Sequence, residues 1–160
     1  GGGLVLAGSC DFRIAASDTY FSIPEIDLGI PLAWGGIPRL VRELGPAVTR
    51  ELVMTCRPFS ADEAKTLNFL NRVVPASENT SKDVMTEANK LAESLAKKSA
   101  LVLYSTKTSI NAATEAMSPA SASWSDADSL VTAIHDPESR ACGDEYLRQV
   151  REHSKQTKKG

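Results

Sequence analysis

Between Gly1 and Pro46, glycine and proline recur at intervals that leave room only for short elements and tight turns. Three features share this stretch. A Gly1-Gly2-Gly3 run leads into apolar Leu4, Val5, Leu6 and Ala7, a carboxylate is held behind a proline at Pro24-Glu25, and a glycine pair, Gly35-Gly36, opens a further helix. The first turn of a helix presents backbone N–H groups without internal partners, and glycine lets another group come close to that backbone. Such an opening suits a developing negative charge. An acid beside it is placed to move a proton.

The side chains of Phe12, Ile14, Tyr20, Phe21 and Ile23 predict short strands over 11–16 and 19–23, joined at Ser17-Asp18. A loop punctuated by Pro31, Gly35, Gly36 and Pro38 follows, then a helix over 37–44 closed by Gly45-Pro46 and another over 47–56. Ser60 with Glu63 has the capping-box pattern and predicts a helix over 61–67, followed by a short strand over 71–75. Thr80 with Asp83 repeats the pattern. Val84, Ala88, Leu91 and Leu95 then recur along one helical face, a helix over 101–117 runs to Ser118-Pro119, and Asp136-Pro137 repeats that cap-and-proline start. The first half thus reads as mixed α/β and the second as almost wholly helical.

At 160 residues and 42% apolar content, one domain with a real core is the expectation. The 18 basic and 20 acidic residues nearly balance, so no global field selects nucleic acid or an anionic membrane as a partner. Arg151, Lys155, Lys158 and Lys159 make the end locally basic, and residues 154–160 read as a disordered tail. Cys10, Cys56 and Cys142 are odd in number and widely spaced, which makes neither a disulfide framework nor a metal-ligand pattern and fits a reducing compartment. No apolar run has the length to cross a bilayer, so the chain is expected to be soluble and intracellular, with mitochondrion, peroxisome and cytosol not distinguished. It opens without methionine in what reads as a strand-to-helix transition. It therefore reads as the later part of a longer polypeptide, with any targeting peptide upstream.

The ordered set Gly1-Gly2-Gly3, Cys10-Asp11-Phe12-Arg13-Ile14-Ala15, Phe21-Ser22-Ile23-Pro24-Glu25, Leu28-Gly29-Ile30-Pro31, Trp34-Gly35-Gly36 and Pro38-Arg39-Leu40 resembles the enoyl-CoA hydratase/isomerase (crotonase) superfamily. Residues 61–75, a helix and a strand ending in Val73-Val74-Pro75, are similar too. The likeness is good over roughly the first 110 residues and thin over the rest. It implies an α/β fold: the C-terminal part of a crotonase-like ββα spiral core over 1–78, then a helical trimerisation region over 79–153. It also implies assembly as a homotrimer or hexamer and an acyl-CoA substrate. Coenzyme A is then carried by the substrate thioester, with no separate cofactor and no metal.

By position, the resemblance makes the Gly2 backbone N–H one donor of an oxyanion hole for a thioester enolate, and puts Gly3 in the substrate site. The other donor belongs to an earlier loop that these residues do not include. A preorganised donor of this kind contributes about 3 to 4 kcal/mol when water is excluded. The resemblance makes Glu25 a general acid/base. Apolar Ile23, Ile26, Leu28 and Ile30 around it disfavour an ionised carboxylate, which suits a group that both takes and returns a proton.

Val5 departs from the two-glutamate hydratases of the family, which carry a carboxylate at that position to hold and activate water. A single remaining base resembles the Δ3,Δ2-enoyl-CoA isomerases, where one glutamate takes a proton from C2 and returns it at C4. Ala33 departs from the dienoyl-CoA isomerases and aryl-CoA dehalogenases, which place an aspartate near there. Leu32 and Trp34 have two readings, as walls of an acyl pocket that exclude water or as plain core. Arg39 either orients a phosphate or carboxylate or belongs to a tight turn with Gly35 and Gly36, and Asp11 reads as fixing the turn into its strand. Lys107, Arg140 and Arg148 are basic positions without an assigned role, and His135, His153 and the cysteines receive none.

The expected function is acyl-CoA processing, with Δ3,Δ2-enoyl-CoA isomerisation by Glu25 through an oxyanion-stabilised enolate, in fatty-acid β-oxidation or related metabolism. Two alternatives stand beside it. One is a hydratase, decarboxylase or thioesterase whose second polar group lies upstream, and the other is a non-catalytic subunit acting by association. The residues given are expected to be inactive on their own.

Overall fold

The computed structural model describes residues 1–157. Helix α1 (Gly2–Gly8) carries the first apolar run and buries Leu4 and Val5. Strands β1 (Ile14–Ala16) and β2 (Tyr20–Phe21) are shorter than the expected 11–16 and 19–23. Before β1 the chain is held at Arg13, whose carbonyl accepts the Asn71 N–H at 2.9 Å and whose side chain makes further bonds. Its buried guanidinium donates to the carbonyls of Phe69 at 2.5 Å and Cys10 at 2.6 Å, pairs with Glu43, and lies 4.9 Å from the Phe69 ring centroid. A buried charge needs such partners, because leaving it unpaired is costly.

β1 pairs in parallel with β4 (Arg72–Val74), Ile14 opposite Arg72 and Ala16 opposite Val74. β2 pairs antiparallel with β3 (Phe59–Ser60), setting Phe21 opposite Phe59 with ring centroids 5.3 Å apart. Phe69, in the turn before β4, meets Phe21 edge-on at 5.8 Å, so three aromatic rings pack the β2–β3 pair against the chain leading into β4.

The helices expected over 37–44 and 47–56 form a single α2 (Gly36–Thr55), broken at Gly45, whose φ of 77° and ψ of 163° are non-helical. The break falls where Gly45-Pro46 predicts it. α3 (Ala61–Thr66) starts at Ser60, whose Oγ accepts the Glu63 N–H at 3.1 Å. Only half of that box forms, since the Glu63 carboxylate accepts from Arg57 at 2.6 Å. At α4 (Thr80–Ala96) the Thr80–Asp83 box does not form. Asn79 stands at the cap position, Ser77 Oγ donates to Asp83 at 2.5 Å, and the Thr80 hydroxyl bonds the Ser77 backbone, because the chain turns three residues earlier.

α5 (Ala100–Met117) is followed by a 3-10 turn over Ala120–Ser123, where Ser118-Pro119 predicts a helix start, and α6 (Asp126–His135) comes after it. α7 (Pro137–Thr157) begins as Asp136-Pro137 predicts, with the Asp136 carboxylate accepting the Ser139 N–H at 2.8 Å. It continues through Thr157, past the expected start of a disordered tail at 154; residues 158–160 lie outside the described residues.

The core gathers Leu4, Ile23, Leu40, Leu52, Phe59 and Phe69 with their neighbours, all from the first seventy residues. α4 lies over β1 and β4 with Val84, Ala88, Leu91 and Leu95 as half-buried positions, the face that their spacing predicts. No helix of the described residues is long and apolar enough to cross a membrane.

Candidate active site

The three opening glycines meet three different surroundings. Gly1 stands immediately before α1, and a Cβ built there would lie 3.4 Å from Glu25 Oε1 and 3.8 Å from the Pro24 ring. Gly2, the first residue of the helix, faces Trp34, whose Cζ3 lies 2.6 Å from where a Cβ would be. Gly3 faces open space. Glycine at position 2 thus lets the indole close on the start of α1, where a side chain would meet it, while the Glu25 carboxylate stands in ordinary contact distance of Gly1. Gly2 and Gly3 lie in the first turn, where backbone N–H groups lack helical acceptors, and the first helical bonds run from Leu4 and Val5 to the Gly1 carbonyl.

Glu25 sits in the turn after Pro24 and is 8% exposed. Its Oε2 is buried without a hydrogen-bond partner, a state that no other side-chain atom of the described residues shares. The Gly1 nitrogen lies 3.8 Å from that oxygen and donates to the Ser22 carbonyl at 2.5 Å. Buried polar atoms are almost always bonded, so an oxygen without a protein partner beside a helix start is a candidate for binding or chemistry.

Leu32 and Trp34 part company. Leu32 is core: it is 6% exposed, and its Cγ lies 2.9 Å from the Cβ position of Gly36, with Val5 Cγ2 at 3.1 Å from the same point. Trp34 is not core. It is 72% exposed, in a left-handed conformation with φ of 59°, and lies against Gly2 at the mouth of α1. Val5 is buried beside Leu32, so the position where hydratases of the resembled family carry a carboxylate is part of the apolar interior here.

Arg39 does not reach toward Glu25. Its guanidinium turns back onto the carbonyls of Gly35 at 3.0 Å and Trp34 at 3.3 Å, the tight-turn reading. Asp11 pairs with Lys107 of α5 at 2.5 Å, which corrects its expected role, since Arg13 holds that turn. Arg148 pairs with Glu145 and Glu152 along α7, which raises the guanidinium's proton affinity and lowers that of Glu145. His135 and His153 are exposed. Among the described residues no group of three or more His, Cys, Asp and Glu side chains comes together as metal ligands.

A cavity of about 720 Å³ between α1, α2 and α5 includes Asp11, Arg42, Lys107 and Glu115, but its charges pair within the fold and Glu25 is not in its lining. Sequence reasoning missed Arg13, quoted in the motif without a role, and Asp126, whose Oδ2 accepts the Gly35 N–H at 2.9 Å beside Trp34. The contact joins residues 91 positions apart, and no local pattern signals it.

The family model for enoyl-CoA hydratase/isomerase matches residues 1–156. A crotonyl-CoA hydratase of Syntrophomonas wolfei is 39% identical over 111 residues, 69% of this chain and 41% of its own length. A short-chain-enoyl-CoA hydratase of Clostridium acetobutylicum is 43% identical over 93 residues, 57% of this chain and 34% of its own length. The chain thus spans about two fifths or less of these two relatives. An enoyl-CoA hydratase from Mycobacterium avium subsp. paratuberculosis superposes with a TM-score of 0.82 at 19% identity, over 93% of this chain and 58% of that one. The fold is the C-terminal portion of the crotonase architecture.

Proposed function

Since the chain belongs to the enoyl-CoA hydratase/isomerase family, we propose that the protein it represents processes acyl-CoA thioesters through an enolate, with Glu25 as the proton carrier. The observation that carries the reading is the buried Glu25 carboxylate oxygen, without a hydrogen bond, beside the first turn of α1, with the Gly2 N–H at the start of that helix. Glu25 takes a proton from C2 of a 3-enoyl thioester. The Gly2 N–H donates to the thioester oxygen as charge grows on it, and Glu25 returns the proton at C4 to give the 2-enoyl product. Trp34 lies over Gly2, where it can wall one side of the acyl group. Val5, buried among apolar side chains, supports isomerisation over water addition.

Hydration is the second reading, supported by the names of the relatives, and it requires a polar group that Val5 does not supply. Assembly as a homotrimer or hexamer fits the wide apolar exposure of α5, where Leu101 and Tyr104 face outward.

The test assays the full protein with 3-enoyl-CoA and 2-enoyl-CoA. Glu25→Gln lowers isomerisation by roughly 10² to 10⁴-fold, the usual worth of a positioned acid/base. Efficient hydration that survives Glu25→Gln sinks the assignment.

A further inference from the structure

The turn that carries Glu25 is closed on itself. The Leu28 N–H donates to the Pro24 carbonyl at 3.0 Å, the Gly29 N–H to Ile26 at 2.9 Å, and the Ile30 N–H to the carbonyl of Glu25 itself at 2.9 Å. These bonds tie the backbone on either side of Gly29 to Pro24 and Glu25, so whatever holds Gly29 bears on Glu25.

Two contacts from the helical half hold it. A Cβ on Gly29, which has a φ of 70°, would lie 1.8 Å from the Ser139 carbonyl oxygen at the start of α7. A Cβ on Gly143, one turn further along α7, would lie 2.6 Å from the Leu28 carbonyl oxygen. The turn and the helix cross backbone to backbone, with no room for a methyl group on either side. Beyond the loop that follows, Asp126 at the first residue of α6 accepts the Gly35 N–H at 2.9 Å, next to the left-handed Trp34. Gly143 is buried, and no other described residue after Leu70 is. A half of the chain that otherwise lies open places its one buried residue against the turn that bears the carboxylate.

Resting on the proposed role of Glu25, we infer that Gly29, Gly143 and Asp126 are positioning residues. Together α6 and α7 clamp the 24–35 segment, α7 at Leu28-Gly29 and α6 at Gly35, and set where the carboxylate stands against α1.

The test uses the full protein. Gly143→Ala forces α7 and the Leu28 carbonyl apart by close to an ångström, and a displacement of that size at a reacting group costs roughly a hundredfold in rate. With 3-enoyl-CoA, kcat falls by about that factor while KM moves less than about threefold. Asp126→Ala lowers kcat less, by roughly tenfold, and Asp126→Asn, whose amide oxygen still accepts from Gly35, restores it. Gly45→Ala is the control: φ there is 77° and nothing lies near, so it lowers thermal stability and leaves kcat unchanged.

Hydrogen exchange at the Leu28, Gly29 and Ile30 amides supplies a readout that needs no substrate, and it quickens in Gly143→Ala and Asp126→Ala but not in Gly45→Ala. If it does so while the unaltered protein turns over no acyl-CoA, the clamp stands and the proposed chemistry falls. In an active protein, an unchanged kcat in Gly143→Ala overturns the clamp whatever the exchange shows. Exchange equal to that of the unaltered protein overturns it in an inactive one. Should Gly143→Ala fail to fold, equal kcat in Asp126→Ala and Asp126→Asn overturns it, as does equal exchange where there is no activity.

Discussion

Helices α2 and α5 are close in length, Gly36–Thr55 and Ala100–Met117, yet α2 buries six residues and α5 buries none. Both carry apolar side chains. Those of α2 meet α1 and the core, whereas Leu101 and Tyr104 of α5 are 74% and 71% exposed. α5 has a Ser99 hydroxyl that accepts the Val102 N–H at 3.4 Å to start it, and within this chain it is held mostly by local bonds. A helical spacing of apolar residues states that a face exists and leaves open what covers it.

That contrast is sharpest in the response to truncation. Phe69→Ala removes a ring with no exposed surface that joins Phe21 and Arg13, and costs about 3 to 5 kcal/mol in denaturant unfolding, enough to unfold many small domains. Leu101→Ala on α5 changes the same measurement by less than about 0.5 kcal/mol. Equal losses at the two positions would erase the distinction between the halves.

A smaller effect tests local signals. Ser60→Ala deletes the one side-chain cap of the α/β half that the sequence predicts and the fold uses, and lowers stability by about 1 kcal/mol in the same unfolding experiment.

The smallest belongs to the helical half. The Ser139 N–H bonded to Asp136 holds that carboxyl below the ordinary carboxylate range. A group depressed in the folded state contributes stability at pH values above its unfolded value and loses it as pH falls through the folded one. Helical circular dichroism of α7 should therefore weaken on acidification below the usual aspartate range, and Asp136→Ala should reduce that dependence, leaving the part that Glu145 contributes.

Much of the candidate site was legible because its parts lie close in sequence or in a familiar order. The Gly1-Gly2-Gly3 run, Pro24-Glu25 and the Gly45-Pro46 break each act through near neighbours, and the fold keeps them where the sequence reads them. The roles of Leu32 and Trp34 were not legible. Two large apolar residues one position apart look alike in a loop, and only burial sends the first to the core and the second to the mouth of α1. The Thr80–Asp83 box failed for a similar reason, since Ser77 competes for the same partners.

The amino-acid order alone determined the short elements of the first half, the helical character of the second, and the family to which the pattern belongs. Those depend on spacing, capping and backbone allowance, which act within a few residues. Tertiary structure decided that Arg13 is a buried clasp, that the Glu25 oxygen is buried without a hydrogen bond, and that Gly29 meets Ser139 and Gly143 meets Leu28 at close approach. Each of these depends on desolvation or close approach between distant segments, and both arise only when the chain has closed on itself.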